Sequence, residues 1–78
     1  MNRILIVEDE GTIARLIEVS LKRAGYACTV ARDGIAAADL IEAQDFDLAL
    51  LDIMLPGLDG YELLEYLQPM GTPVIFIT

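Results

Sequence analysis

The strongest constraint on this chain is an alternation. Short apolar runs rich in β-branched residues are separated by segments whose apolar residues recur at helical spacing. Ile4-Leu5-Ile6-Val7 suits a strand buried on both faces. From Thr12 the period changes: Ile13, Leu16, Ile17, Leu21 and Ala24 fall at helical intervals. Glu18 and Lys22 form an i,i+4 pair, and Gly25 stands where a helix C-cap belongs. Tyr26 to Ala31 reads as a second strand. Asp33 caps a second helix over Gly34 to Ala43, with Ala37, Ala38 and Ile41 on its inner side. Asp47 to Asp52 is a third strand ending in an acid. Asp59 and Glu62 have capping-box spacing for a third helix, Gly60 to Gln68, which Pro69 and Gly71 stop. Pro73 to Thr78 reads as a fourth strand.

The order βαβαβαβ predicts a parallel sheet with right-handed crossovers and helices on both faces, a three-layer α/β/α architecture. No internal repeat or linker interrupts it. The 78 residues hold one domain or part of one. Their 55% apolar content excludes disorder, because the chain has ample surface to bury.

Charge and composition exclude several functions. Thirteen acidic residues against five basic ones give −8. The cations Arg3, Arg15, Lys22, Arg23 and Arg32 do not make the clustered basic surface that duplex binding needs. The same charge disfavours an anionic membrane. Histidine is absent, and Cys28 is the only cysteine, so neither a zinc-type site nor an internal disulfide is expected. Cys28 reads as a small core residue. No apolar run is long enough to span a membrane, and the first residues lack a signal peptide's pattern, so a cytoplasmic chain is expected.

The chemistry lies at the strand ends. Glu8 and Asp9 close the first strand and Asp52 closes the third. Taken singly, an acid at such a place is usually solvated or a cap. In open α/β sheets, however, sites lie beyond the carboxyl ends of the strands, where strand order reverses. If the first and third strands are neighbours, the three acids converge. Either one stays protonated or a cation neutralises them. A hard divalent ion with oxygen ligands fits, and Mg²⁺ leaves room for phosphate oxygens. A carboxylate also serves as a nucleophile toward phosphorus. Thr78, closing the fourth strand, offers a hydroxyl to a phosphoryl oxygen.

The joint pattern resembles the receiver domain of two-component response regulators. The matching stretches are Ile4-Leu5-Ile6-Val7-Glu8-Asp9-Glu10, the run from Asp47 through Asp52 to Leu64, and Pro73-Val74-Ile75-Phe76-Ile77-Thr78. Ile53-Met54-Leu55-Pro56-Gly57-Leu58-Asp59-Gly60 most resembles regulators that carry a C-terminal winged-helix DNA-binding domain. The resemblance implies a flavodoxin-like fold with Asp52 as phosphoacceptor. It implies Asp9, Asp52 and the Met54 backbone carbonyl as Mg²⁺ ligands, Glu8 orienting the ion, and Thr78 as the switch hydroxyl. A sensor histidine kinase is then the partner, or a small acyl phosphate the donor. The full-length protein would regulate an output such as transcription.

The family's complete domain, about 120 residues, has a fifth strand and two further helices with no counterpart here. Its phosphoryl-binding lysine and switch aromatic are missing with them. Residues 1–78 are therefore expected to form a partial receiver domain with strand order 2-1-3-4. The fourth strand would be an edge, a template for self-association, and a monomer would be poorly ordered. Three other functions compete. An aspartate-nucleophile phosphatase needs a second acid two residues after the nucleophile, where Met54 stands. A nucleotide-binding module needs a glycine-rich first turn, where Glu8-Asp9-Glu10-Gly11 stands. A structural or oligomerising fragment, not competent for phosphorylation, is the remaining alternative.

Overall fold

The structure is a computed structural model that describes residues 2–77. Its elements run β1 (Arg3–Val7), α1 (Gly11–Arg23), β2 (Ala27–Ala31), α2 (Gly34–Ala43), β3 (Leu48–Leu51), α3 (Gly60–Leu67) and β4 (Val74–Phe76), with a 3₁₀ turn at Gln68–Met70 before β4. The four strands form one parallel sheet in the order β2-β1-β3-β4, as the alternation predicts. The crossover from β1 to β2 runs one way along the sheet, and those from β2 to β3 and β3 to β4 run the other. Right-handed connections therefore put α1 on one face and α2 and α3 on the opposite face.

The larger core lies on the α2–α3 face. Leu5, Val7, Ala49 and Leu51 of the central strands pack with Ala37, Ala38 and Ile41 of α2 and with Leu63 and Leu67 of α3. Small side chains on α2 let it lie close to the sheet. All of Ile4 to Val7 is buried, so β1 is the central strand that its unbroken apolar run predicts.

Local chemistry sets the boundaries. Gly25 adopts φ 97°, and its N–H donates to the Lys22 carbonyl while that of Tyr26 reaches the Leu21 carbonyl. This is a Schellman close, which needs a left-handed residue after the C-cap Ala24. Asp33 accepts from the Ala36 amide at 2.8 Å and opens α2. Asp59 and Glu62 make both halves of the capping box. Glu18 and Lys22 pair at 3.2 Å on α1.

Several expectations need correction. The side chain of Glu10 caps α1, which begins at Gly11, one residue before Thr12. The face of α1 turned to the sheet centres on Ala14, while Ile13 and Leu16 are exposed, the latter 67%. Their helical spacing is real, but they stand off the contact stripe. β2 begins at Ala27 because Tyr26 belongs to the α1 close. β3 spans Leu48–Leu51, with Asp47 and Asp52 just outside it. α3 gives way to the 3₁₀ turn at Gln68 because Pro69 has no N–H to continue the helix. β4 is only Val74–Phe76. Cys28, on β2, is half-buried rather than core, and burial pushes its thiol pKa up.

Replacing Leu63, fully buried between α3 and the sheet, with alanine is expected to cost about 2–5 kcal/mol. Leu16→Ala on the outer face of α1 should cost about 0.5 kcal/mol or less. Urea unfolding of the two variants measures both.

Candidate functional site

Strand register brings the acids together. Val7 pairs with Leu51, so Glu8 and Asp52 each lie one residue past that pair, at one level of the sheet. The ladder continues locally: the Asp52 amide donates to the Val7 carbonyl at 2.9 Å, and the Glu8 amide to the Ala31 carbonyl at 3.1 Å. Neighbouring strand backbones are about 4.8 Å apart. One carboxylate oxygen from each of Glu8, Asp9 and Asp52 lies within 4.8 Å of the other two. The site thus sits beyond the carboxyl ends of β1 and β3, between which the strand order reverses.

The environments of the acids differ. Glu8 is 2% exposed and Asp52 8%, whereas Asp9 faces solvent. Asp52 Oδ1 accepts from the Met54 amide at 3.0 Å. Glu8 Oε1 accepts from the Glu10 amide at 3.1 Å. Glu8 Oε2 is buried and has no hydrogen-bond partner among the described residues. Burial raises the Glu8 pKa above its ordinary value of 4.5; the Glu10 amide opposes this, and the Asp52 and Asp9 carboxylates add to it. An orphaned, buried oxygen beside two more carboxylates is what a hard cation relieves, and the all-oxygen donor set suits Mg²⁺.

The structure therefore brings together Glu8, Asp9 and Asp52. Met54 lies at the rim and is 79% exposed. With Asp9, Leu55, Pro56 and Asp59 it lines an open cleft of about 460 Å³. Thr78 lies outside the described residues. Tyr61 and Tyr66, which the sequence puts on α3, are both exposed, and the Tyr61 ring meets Phe76 with centroids 5.5 Å apart.

Sequence reasoning missed three residues around the site. Glu10 links the buried Glu8 to the start of α1 through its amide and its own side chain. Arg32, counted only as one of the cations, reaches back to the Asp9 carbonyl. Gly34, noted only as a helix start, lies against the loop after β3. A glycine in the first turn of a helix is an entropic cost without an evident local reason, and that was the available signal.

A parallel α/β sheet with convergent strand-end acids defines a flavodoxin-like protein with an oxygen-donor site. The family model for the response regulator receiver domain matches residues 4–78. The chain is 44% identical over 77 residues to the uncharacterized transcriptional regulatory protein YkoG of Bacillus subtilis, covering 96% of this chain and 34% of that protein. It is 42% identical over 79 residues to the response regulator ArlR of Staphylococcus epidermidis, covering 100% and 36%. This chain thus spans about a third of the length of these curated relatives.

Solved structures agree. The receiver domain of the Francisella response regulator 1452 superposes with TM-score 0.90 at 36% identity, over 97% of this chain and 64% of that one. The receiver domain of the sensor histidine kinase PA1611 from Pseudomonas aeruginosa, with magnesium coordinated in its active-site cleft, gives TM-score 0.91 at 36% identity, over 99% and 66%. The chain belongs to the response regulator receiver domain family of two-component signalling.

The raised Glu8 pKa fixes the sign of a pH effect. Below the ordinary glutamate range both folded and unfolded chains hold the proton, and Glu8 carries no penalty. As pH rises from that range to the folded-state pKa, the unfolded chain gives up the proton that folded Glu8 keeps, so stability falls, and above that pKa the penalty of the ionised buried group stays constant. Glu8→Gln is therefore expected to be more stable than wild type at neutral pH without divalent ions, with the difference vanishing toward acid. Thermal unfolding in a chelating buffer across that range measures it.

Proposed function

We propose that this chain accepts a phosphoryl group on Asp52 as the signalling step of a two-component system. The observation that carries the proposal is the convergence of Glu8, Asp9 and Asp52 around a buried carboxylate oxygen without a partner. Asp9 and Asp52 would hold Mg²⁺ with the Met54 carbonyl, and Glu8 would orient it. When bound, the ion neutralises the carboxylates and offsets charge on phosphoryl oxygens.

The chain's own residues do the rest. The Met54 amide holds Asp52 Oδ1, leaving the other carboxylate oxygen to attack. That oxygen forms a new O–P bond as the bond from phosphorus to the donor breaks. The electron pair leaves with the donor, either an imidazole nitrogen of a kinase phosphohistidine or the carboxylate of a small acyl phosphate. Burial of Asp52 limits water at its carboxylate, and its neighbours Asp9 and Met54 line the open cleft. Thr78 would donate its hydroxyl to the transferred group.

Residues 1–78 are read as the first part of a receiver domain, in keeping with the chain's share of its relatives. In the full-length protein the module would act as a switch on an output, and relatives that are a transcriptional regulatory protein and a transcriptional activator support transcription. It would not act as an enzyme with turnover on a separate substrate. Its partner would be a sensor histidine kinase.

With Mg²⁺ and a small acyl phosphate such as acetyl phosphate, the protein should gain one hydroxylamine-sensitive phosphoryl group. Asp52→Asn should gain none. Intact-mass measurement of both, with and without a chelator, decides it. Labelling of Asp52→Asn equal to wild type would refute the assignment.

A further inference from the structure

The turn between β2 and α2 supplies none of the three carboxylates, yet it touches both loops that carry them. On one side, Arg32 Nη2 donates to the Asp9 carbonyl at 2.8 Å. The guanidinium lies over Gly11, where an added Cβ would meet Nη2 at 3.0 Å and Nη1 at 3.2 Å. On the other side, the Gly34 amide donates to the Pro56 carbonyl at 3.2 Å. An added Cβ on Gly34 would meet the Leu58 carbonyl oxygen at 1.8 Å, which is backbone and cannot swing away. Asp33, between them, is fixed by capping α2.

Three consecutive residues therefore tie the loop after β1 to the loop after β3. Asp9 is the exposed member of the acid group. No side-chain hydrogen bond holds its carboxylate among the described residues, whereas its backbone carbonyl is held by Arg32. We propose that the Arg32–Gly34 turn is a positioning element that sets the spacing of Asp9 and the loop after Asp52, and thereby the affinity of the site for a divalent cation. The inference rests on the reading of the acids as a Mg²⁺ site.

Two physical effects of Arg32 have opposite signs. Its positive charge beside an anionic site disfavours a second cation, so on charge alone its removal tightens Mg²⁺ binding. Its hydrogen bond orders the ligand loop, so on positioning its removal weakens binding. Outer-shell partners of metal ligands typically contribute 10- to 100-fold in affinity. An exposed guanidinium–carboxylate attraction is screened by water and salt. Positioning is the larger effect.

The test is MgCl₂ titration by calorimetry of wild type, Arg32→Ala, Arg32→Lys and Gly34→Ala, well below their unfolding temperatures. Arg32→Ala should bind Mg²⁺ ~10-fold or more weakly. Arg32→Lys, which keeps the charge and a donor, should recover most of the loss. Gly34→Ala should lose at least as much as Arg32→Ala. If that variant does not fold, the Arg32 pair decides alone. A merely structural role would lower the unfolding midpoint of Arg32→Ala while leaving the affinity of the folded protein unchanged, and that result overturns the inference. Tighter binding by Arg32→Ala also overturns it, in favour of a counter-ion role. Wild type that binds no Mg²⁺ overturns the reading of the site, and this inference with it. Wild type that binds while Arg32→Ala matches it overturns this inference alone.

Discussion

Crowding negative charge in a place that water barely reaches is the constraint on which this molecule turns. Glu8 and Asp52 are almost fully buried, and Asp9 stands beside them. A folded chain gains nothing from such an arrangement by itself; like charges and lost hydration both oppose it. The rest of the structure supplies what offsets it. The apolar core on the α2–α3 face, from Leu5 to Leu67, carries the folding energy. Backbone amides of Glu10 and Met54 each satisfy one carboxylate oxygen. Glu8 Oε2 is left without a partner among the described residues, which is the deficit that the proposed Mg²⁺ would relieve.

The same constraint explains why the acids are found at a reversal in strand order. Only there do two chain segments leave adjacent parallel strands toward opposite neighbours, opening a crevice between their loops. β1 is followed by α1 on one face of the sheet, and the chain beyond β3 leads to α3 on the other. The β2–α2 turn then bridges the crevice from a third direction through Arg32 and Gly34. Residues outside the acid cluster thus adjoin both loops that carry it.

Much of this was legible in the letters, and the reasons are physical. β1 and β3 are near-continuous apolar runs, and their period leaves little choice of element. α2 was readable to the residue because Asp33 is an N-cap and Ala37, Ala38 and Ile41 mark one face. The convergence of Glu8, Asp9 and Asp52 was readable only through the assumption that β1 and β3 are neighbours, which the observed sheet order bears out. The contact stripe of α1 was not readable, because Ile13 and Leu16 obey the helical period as well as Ile17 and Leu21 do. The partners of Arg32 and Gly34 were invisible for a different reason. Gly34 signals a missing Cβ but not the Leu58 backbone it lies against, and Arg32 ends on a backbone carbonyl far away in sequence, which has no residue-type signature.

The pairing of Val7 with Leu51 has one further consequence. A strand's side chains alternate between faces, so displacing β3 by a single position against β1 would turn Asp52 away from Glu8 while keeping most backbone bonds. Such a molecule would look folded by its circular dichroism yet offer no pocket. If the acids take up Mg²⁺ as proposed, the stoichiometry of uptake in a purified sample is also an assay of folding fidelity, counting the molecules whose sheet was assembled in the correct alignment.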